Sequence, residues 1–120
     1  YMHNRVRQDL WGYQTKKLSN EEMIKEKYQG IRPAPGYPAC PEHTIKKDIF
    51  SLLQAKEIGM ELTESMSMMP ASSVSGFYFA HPEAKYFSVD KIDEDQIDDM
   101  AKRRSISKDQ LKKWLASSLR

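Results

Sequence analysis

The residues best suited to bind a small molecule lie in one short segment, where Arg32, Gly36 and Tyr37 are interleaved with four of the chain's six prolines. An arginine guanidinium is a planar fork that matches a carboxylate through two parallel hydrogen bonds. A glycine lets the backbone approach a flat ligand closely, and a tyrosine offers an aromatic face with a polar tip. Because prolines fix the backbone around these residues, the segment predicts a stiff, preshaped binding loop.

The same segment continues with Cys40, Glu42 and His43, which are residue types found in metal sites and nucleophilic centres. A cysteine and a histidine three residues apart supply at most half of a metal site, and no second Cys or His cluster has ligand spacing. We therefore predict no metal site. An enzyme with a catalytic Cys40–His43 pair remains an alternative, although the sequence offers no third group to orient that pair. His3 is expected at a frayed end.

The elements before the loop are predicted to be two helices. The first ends near Trp11, where Gly12 can adopt the left-handed conformation common after helix ends. The second begins after Ser19, which forms a capping box with Glu22, and is expected to end at Gly30.

After the loop, the spacing of apolar residues predicts one long helix that ends at Gly59 and faces the core. The residues assigned to its buried face are Ile45, Ile49, Leu52, Leu53 and Ile58.

The second half of the chain predicts strands followed by helices. Alternating or β-branched and aromatic residues indicate strands at 60–68, 74–80 and 85–89, which together suggest an antiparallel meander. Two helices are predicted at 93–104 and 107–115, the second capped by Ser107. The predicted fold class is α+β, with a small twisted antiparallel sheet packed with several helices.

Composition narrows the classes of function. The 120 residues are enough for one compact unit, and 19 Lys and Arg balance 17 Asp and Glu. This balance gives no basis for binding nucleic acid or an anionic membrane surface. A single cysteine excludes an internal disulfide, and no apolar run is long enough for a signal peptide or a membrane span. We expect a cytoplasmic protein.

Residues 31–43, Ile-Arg-Pro-Ala-Pro-Gly-Tyr-Pro-Ala-Cys-Pro-Glu-His, contain an Arg-x-x-x-Gly-Tyr pattern. The pattern resembles the signature of the C-terminal activation domain of cobalamin-dependent methionine synthase. The flanking segments 5–13, 18–30, 62–65, 73–79, 81–82 and 85–87 are also similar to that domain, so the resemblance covers nearly the whole chain. Because the family's domain is longer, we expect residues 1–120 to be the C-terminal portion of one activation domain, a fragment of a larger multidomain enzyme.

The resemblance implies a function and a site. The domain would bind S-adenosylmethionine and present its methyl group for reductive methylation of cob(II)alamin, which reactivates the enzyme. The family commonly has two consecutive tyrosines where this chain has Tyr86 and Phe87, so one hydroxyl is missing here. The implied S-adenosylmethionine-binding residues are Arg32, Ala34, Gly36, Tyr37, Tyr86 and Phe87. Tyr37 and His43 are implied to face the cobalamin.

The resemblance also implies cofactors and partners. Cobalamin would be bound mainly by another domain, and zinc would belong only to a domain outside this chain. Electrons would come from a flavodoxin or a flavoprotein reductase, for which the acidic residues 90–99 are one possible contact. The chain would act as part of a methyltransferase and would not turn over alone. An alternative is a docking module for the cobalamin domain or the reductase, with a degenerate ligand site.

Overall fold

A computed structural model of the chain describes residues 1–12 and 17–119. The chain divides into two compact units. Unit 1 comprises Tyr1–Arg32 and Phe77–Lys85, and unit 2 comprises Pro33–Gly76 and Tyr86–Arg120.

Unit 1 begins with a helix and a capped second helix. Helix α1 (Met2–Arg5) continues as a π-helical turn over Val6–Leu10, so the predicted end near Trp11 is confirmed. Helix α2 (Asn20–Ile24) starts with the predicted capping box, in which Ser19 Oγ accepts from the Glu22 amide at 3.2 Å. The Glu22 carboxylate accepts from the Ser19 amide at 2.9 Å.

The predicted end of α2 at Gly30 is wrong. The helix stops at Ile24, and Glu26 adopts a left-handed conformation with φ of 52°, which interrupts the helical hydrogen-bonding pattern.

The strand predicted at 74–80 is also wrong, because only one residue of it pairs. Ile31 and Phe79 form an isolated antiparallel bridge with N–H···O distances of 2.9 and 2.8 Å. Gly30 precedes this bridge with φ of 89°, and a Cβ there would lie 2.1 Å from the Phe79 carbonyl oxygen. The bridge fixes the backbone that leads into Arg32.

In unit 2, the predicted long helix is two shorter elements. Helix α3 (Ile45–Leu52) ends where Gln54 adopts φ of 51°, and a 3₁₀ turn over Ala55–Ile58 follows. The break lies after Leu52 and Leu53, so among these residues it changes only the direction of Ile58. Of the five residues assigned to the core, Ile49 is buried, Ile45 is half-buried, and Leu52, Leu53 and Ile58 are 83%, 73% and 76% exposed.

The strand predicted at 60–68 is a hairpin. Strands β1 (Glu61–Leu62) and β2 (Met68–Met69) pair antiparallel, with Glu61 opposite Met69 and Leu62 opposite Met68. The turn between them is closed by the Thr63 hydroxyl, which accepts from the Ser67 amide at 3.0 Å. The predicted strand at 85–89 is not formed, because Val89 donates instead to the Pro38 carbonyl at 2.9 Å.

The last two predicted helices are confirmed as α4 (Glu94–Arg104) and α5 (Lys108–Trp114), and Ser107 Oγ caps α5 by accepting from the Gln110 amide at 3.2 Å. A 3₁₀ turn, Ala116–Ser118, follows α5. The helices enclose the main core of unit 2, which consists of Ile92, Ile97, Ala101, Leu111 and Leu115. The α+β class with a small antiparallel sheet is therefore confirmed, although both strands of the sheet come from the segment predicted as one strand. No helix among the described residues is long and apolar enough to cross a membrane.

Candidate ligand-binding loop

Arg32 is the last residue of the first segment of unit 1 and follows the Ile31–Phe79 bridge directly. Its side chain is exposed, and its guanidinium carbon lies 5.8 Å from the centre of the Tyr28 ring. An arginine over an aromatic face gains from the attraction between its charge and the ring. Arg32 therefore presents a permanent positive charge at the surface beside Tyr28.

The described part of unit 1 also contains two buried basic side chains that the sequence analysis missed. His3 is 3% exposed rather than frayed, and its ring packs edge-on against Tyr28 with centroids 4.1 Å apart. Burial, followed by the charges of Arg32 and Arg7, lowers the pKa of His3 to about 4. The spacing of His3 and Arg7, four residues apart on one helical face, was the signal available in the sequence.

Arg7 is fully buried, and none of its three guanidinium nitrogens has a hydrogen-bond partner among the described residues. Buried charges are normally paired and hydrogen-bonded, because transfer of an ion out of water is costly. Arg7 is therefore a source of local instability in the described part of unit 1.

The signature loop of unit 2 is a tight turn closed by backbone hydrogen bonds. The Gly36 amide donates to the Cys40 carbonyl at 2.8 Å, and the Cys40 amide donates to the Tyr37 carbonyl at 2.8 Å. The Tyr37 amide donates to the Ala34 carbonyl at 3.3 Å. These bonds add to the constraint that the prolines impose and so support the prediction of a stiff loop.

A histidine ring occupies the space beside Gly36. Gly36 has φ of 93°, and a Cβ built there would lie 2.2 Å from His43 Cε1. Glycine is required at this position for two reasons, since a side chain would be strained and would also overlap the ring. Burial and the nearby charge of Lys46 lower the pKa of His43.

The loop also packs closely against Gly76, the last residue of the first segment of unit 2. Pro33 and Pro35 are buried, and a Cβ on Gly76 would lie 2.9 Å from the Pro33 carbonyl oxygen. The prolines on the inner side therefore anchor the loop, while Gly36 and Tyr37 are exposed.

Some of the predicted site residues share a cavity. A hollow of about 310 Å³ is lined by Gly36, Tyr37, Pro38, His43, Asp90 and Trp114, among others. Tyr86 and Phe87 also belong to unit 2 but do not line this hollow, and they are 43% and 60% exposed. Tyr37 is 67% exposed, so its ring is available to a ligand.

A buried carboxylate next to the loop was not predicted. Glu42 is 2% exposed and accepts hydrogen bonds from the Thr44 hydroxyl and from Arg104, whose other terminal nitrogen donates to Asp48 at 2.7 Å. Burial raises the pKa of Glu42, and the Arg104 charge opposes that rise. This network ties the end of the loop to α4.

The geometry does not favour nucleophilic or metal chemistry at the loop. Burial and the charge of Glu42 raise the pKa of the Cys40 thiol, whereas a nucleophilic cysteine needs a lowered pKa. Across residues 1–12 and 17–119, no group of three or more His, Cys, Asp or Glu side chains is placed to hold a metal ion.

Residues 1–105 match the family model of the vitamin B12 dependent methionine synthase activation domain. The chain belongs to this family. The resemblance seen in the signature loop is thereby confirmed.

Comparison with a solved structure shows that the fold is similar as well as the sequence. The crystal structure of the MetH reactivation domain bound to AdoHcy is 55% identical in sequence and superposes with a TM-score of 0.94. The match covers 99% of this chain and 37% of that chain. The activation-domain fold is therefore shared over essentially all of the 120 residues.

Proposed function

We propose that this chain binds S-adenosylmethionine and presents its methyl group to the cobalt of a cobalamin, in the reductive reactivation of vitamin B12 dependent methionine synthase. The observation that carries the proposal is the 55% identity and 0.94 TM-score to a reactivation domain with AdoHcy bound, AdoHcy being the demethylated form of the same ligand. The family match over residues 1–105 supports the same conclusion.

Arg32 is proposed to bind the carboxylate of the ligand's methionine part. Its exposed side chain near the Tyr28 ring supports this role, since a guanidinium matches a carboxylate through two parallel hydrogen bonds. Its permanent positive charge complements a carboxylate and not the sulfonium.

The other proposed ligand residues contribute backbone groups and aromatic surface. Ala34 and Gly36 are proposed to act through the stiff turn of the loop, whose shape is set before the ligand arrives. The exposed rings of Tyr37, Tyr86 and Phe87 suit the adenine plane and the cationic sulfonium, which aromatic faces stabilise. The Phe87 ring keeps the stacking contribution of a tyrosine but lacks its hydroxyl.

The chemistry of methyl transfer belongs to the bound cobalamin, whose reduced cobalt supplies the nucleophile. The contribution of this chain is to position the methyl donor and to exclude competing orientations. Tyr37 and His43 are proposed to face the cobalamin, which another domain holds. A flavodoxin or flavoprotein reductase is the proposed electron source, and no described group of this chain is suited to carry zinc.

Docking to the cobalamin domain is a second role that one observation favours. Unit 2 exposes Leu52, Leu53 and Ile58 at 83%, 73% and 76%, which is unusual for neighbouring large apolar residues. The acidic residues predicted to meet a reductase are less available, because Glu94, Asp98 and Asp99 form ion pairs with Lys112, Lys108 and Arg103.

The proposal is tested by titrating S-adenosylmethionine and AdoHcy into the chain by calorimetry. Arg32→Ala is expected to weaken binding about 10–100-fold, the scale of one lost charge-assisted hydrogen-bonded contact. Arg103→Ala is the matched control, since Arg103 is an exposed arginine that pairs with Asp99 at 2.6 Å, and it should leave binding unchanged.

Saturable binding that depends on Arg32 would support the ligand site. Binding that is unchanged in Arg32→Ala would refute the assignment of this residue, and a wild-type chain that binds neither compound would favour the docking role.

A further inference from the structure

A buried lysine lies beside the candidate loop and is not among the residues assigned to ligand binding. Lys46, on α3, is 9% exposed, and its Nζ donates to the Met66 carbonyl at 2.8 Å. The same Nζ lies 3.2 Å from His43 Nδ1. Lysines are rarely this buried unless paired, so two fixed contacts on one ammonium indicate that the side chain has a defined position.

The contact between Lys46 and His43 determines where the imidazole carries its proton. A lysine ammonium has three donors and no acceptor, so Nδ1 must accept the hydrogen bond. In a neutral ring the proton is then on Nε2. Burial and the Lys46 charge both lower the pKa of His43, which favours this neutral form. The titratable groups around the ring are Lys46 itself and, in the walls of the same hollow, Tyr37 and Asp90.

The ring is also fixed in position from several sides. Its Cε1 fills the space that a Cβ on Gly36 would take, and the Trp114 ring of α5 lies with its centroid 6.1 Å away. His43 lines the hollow of about 310 Å³, a volume at the lower end of small-molecule sites. Nε2 has no hydrogen-bond partner among the residues that the structure describes.

We propose that Lys46 is a positioning residue, which holds His43 as the Nε2–H tautomer against Gly36 so that the wall of the hollow offers a hydrogen-bond donor to an uncharged oxygen of a ligand. A neutral N–H donor suits an amide carbonyl or a hydroxyl. Both occur in the proposed ligands, as the carboxamides at the corrin edge and the ribose hydroxyls of S-adenosylmethionine. The part of this inference that concerns the ligand rests on the proposed function. The assignment of the His43 tautomer does not depend on it.

The tautomer is measured on the wild-type chain by long-range ¹H–¹⁵N correlation of the histidine rings during a pH titration. We expect Nδ1 of His43 to show the shift of an acceptor nitrogen and Nε2 that of a protonated one, with a midpoint below 6.5. A proton on Nδ1, or a midpoint at or above 6.5, would overturn the proposal without recourse to any variant.

Lys46→Met and Lys47→Met form a matched pair, because Lys47 is the exposed neighbour on the same helix. In Lys46→Met the His43 midpoint should move up towards 6.5 and the Nδ1–H tautomer should appear, while Lys47→Met should leave both unchanged. A folded Lys46→Met chain with an unaltered His43 would refute the positioning role. If loss of the donor to Met66 unfolds it, Lys46→Gln is the alternative, because a Gln amide can donate to Met66 but can also accept. Nδ1 of His43 is then no longer forced to accept, so the single tautomer should be lost.

The part that concerns the ligand is tested with AdoHcy and with hydroxocobalamin as separate probes, following the Nε2–H resonance of His43. A shift with AdoHcy would assign the acceptor to that ligand, and a shift with hydroxocobalamin would assign it to the corrin edge. If AdoHcy binds by calorimetry but neither probe moves the resonance, the proposed function stands and the donor role of His43 is overturned. If AdoHcy does not bind at all, the proposed function fails while the wild-type spectrum still decides the tautomer.

Discussion

Among the residues that the structure describes, Arg7 departs furthest from the rule that buried charges are paired. Its side chain is fully buried and its guanidinium nitrogens have no partner among residues 1–12 and 17–119. Replacing such a group with an apolar side chain of similar length removes the cost of burying the ion.

Arg7→Met is therefore expected to raise the free energy of unfolding by about 1–4 kcal/mol, measured by urea denaturation. Arg5→Met is the control, since Arg5 is exposed and pairs with the exposed Asp9 at 3.4 Å, and its change should stay within about 0.5 kcal/mol. A loss of stability in Arg7→Met would contradict this reasoning and indicate an anionic partner.

Gly36 combines two constraints that a control can separate. Its φ of 93° disfavours any side chain, and a Cβ would overlap the His43 ring. Gly59 has φ of 76°, but no atom lies within 4 Å of the position that a Cβ would take there. At Gly59, therefore, only the backbone conformation disfavours a side chain.

Gly59→Ala should cost about 1–2 kcal/mol from backbone strain. Gly36→Ala should cost about 1–3 kcal/mol more, because the ring must move or the turn must open. Thermal unfolding of the two variants measures this difference in stability. Equal losses of stability would mean that the His43 ring moves aside without an energetic cost.

The break after α3 is the clearest effect at the level of elements. Gln54 is a non-glycine residue with φ of 51° and ψ of 43°, a conformation that costs L-residues roughly 1 kcal/mol. The periodicity of the apolar residues continues through this position, which is why the sequence predicted one helix to Gly59.

Gln54→Gly should stabilise the chain by about 0.5–1 kcal/mol, because glycine adopts this conformation without strain. The same change at Lys47, an exposed residue within α3, should instead destabilise by a similar amount. Opposite signs in a denaturant titration would confirm the break, and destabilisation at both positions would indicate a continuous helix.

At the scale of the whole molecule, the two histidines with lowered pKa values make stability depend on pH. The pKa of His3 is lowered to about 4, and that of His43 is lowered as well, mainly by burial. A lowered pKa means that the folded state disfavours protonation, so the unfolded state binds more protons as the pH falls.

Stability should therefore be complete above about pH 6.5 and should decrease as the pH falls from there towards about 4, by about 1–3 kcal/mol. Chemical denaturation at a series of pH values measures this, and His3→Phe should flatten part of the dependence. If the denaturant concentration at the unfolding midpoint stays constant over this pH range, His3 is exposed to solvent in the folded state.

The sequence was sufficient wherever local signals decide the structure. The caps at Ser19 and Ser107 and the apolar period of α4 and α5 act within a few residues, so these elements began where predicted. The proline-rich loop was also predictable, because its stiffness is a property of the residues themselves. The Arg-x-x-x-Gly-Tyr pattern identified the family for the same reason, since it is contiguous in the chain.

Only the tertiary structure decided the features that need distant partners. Ile31 pairs with Phe79 and Val89 donates to Pro38, so the strand predicted at 74–80 is reduced to one bridge and the strand predicted at 85–89 does not form. The periodicity of apolar residues also could not predict three other features. These are the hairpin 61–69, the burial of Arg7 without a partner among the described residues, and the Lys46–His43 contact. The type of a β-branched or charged residue does not predict which distant group it will contact. That contact depends on how the whole chain buries its apolar surface.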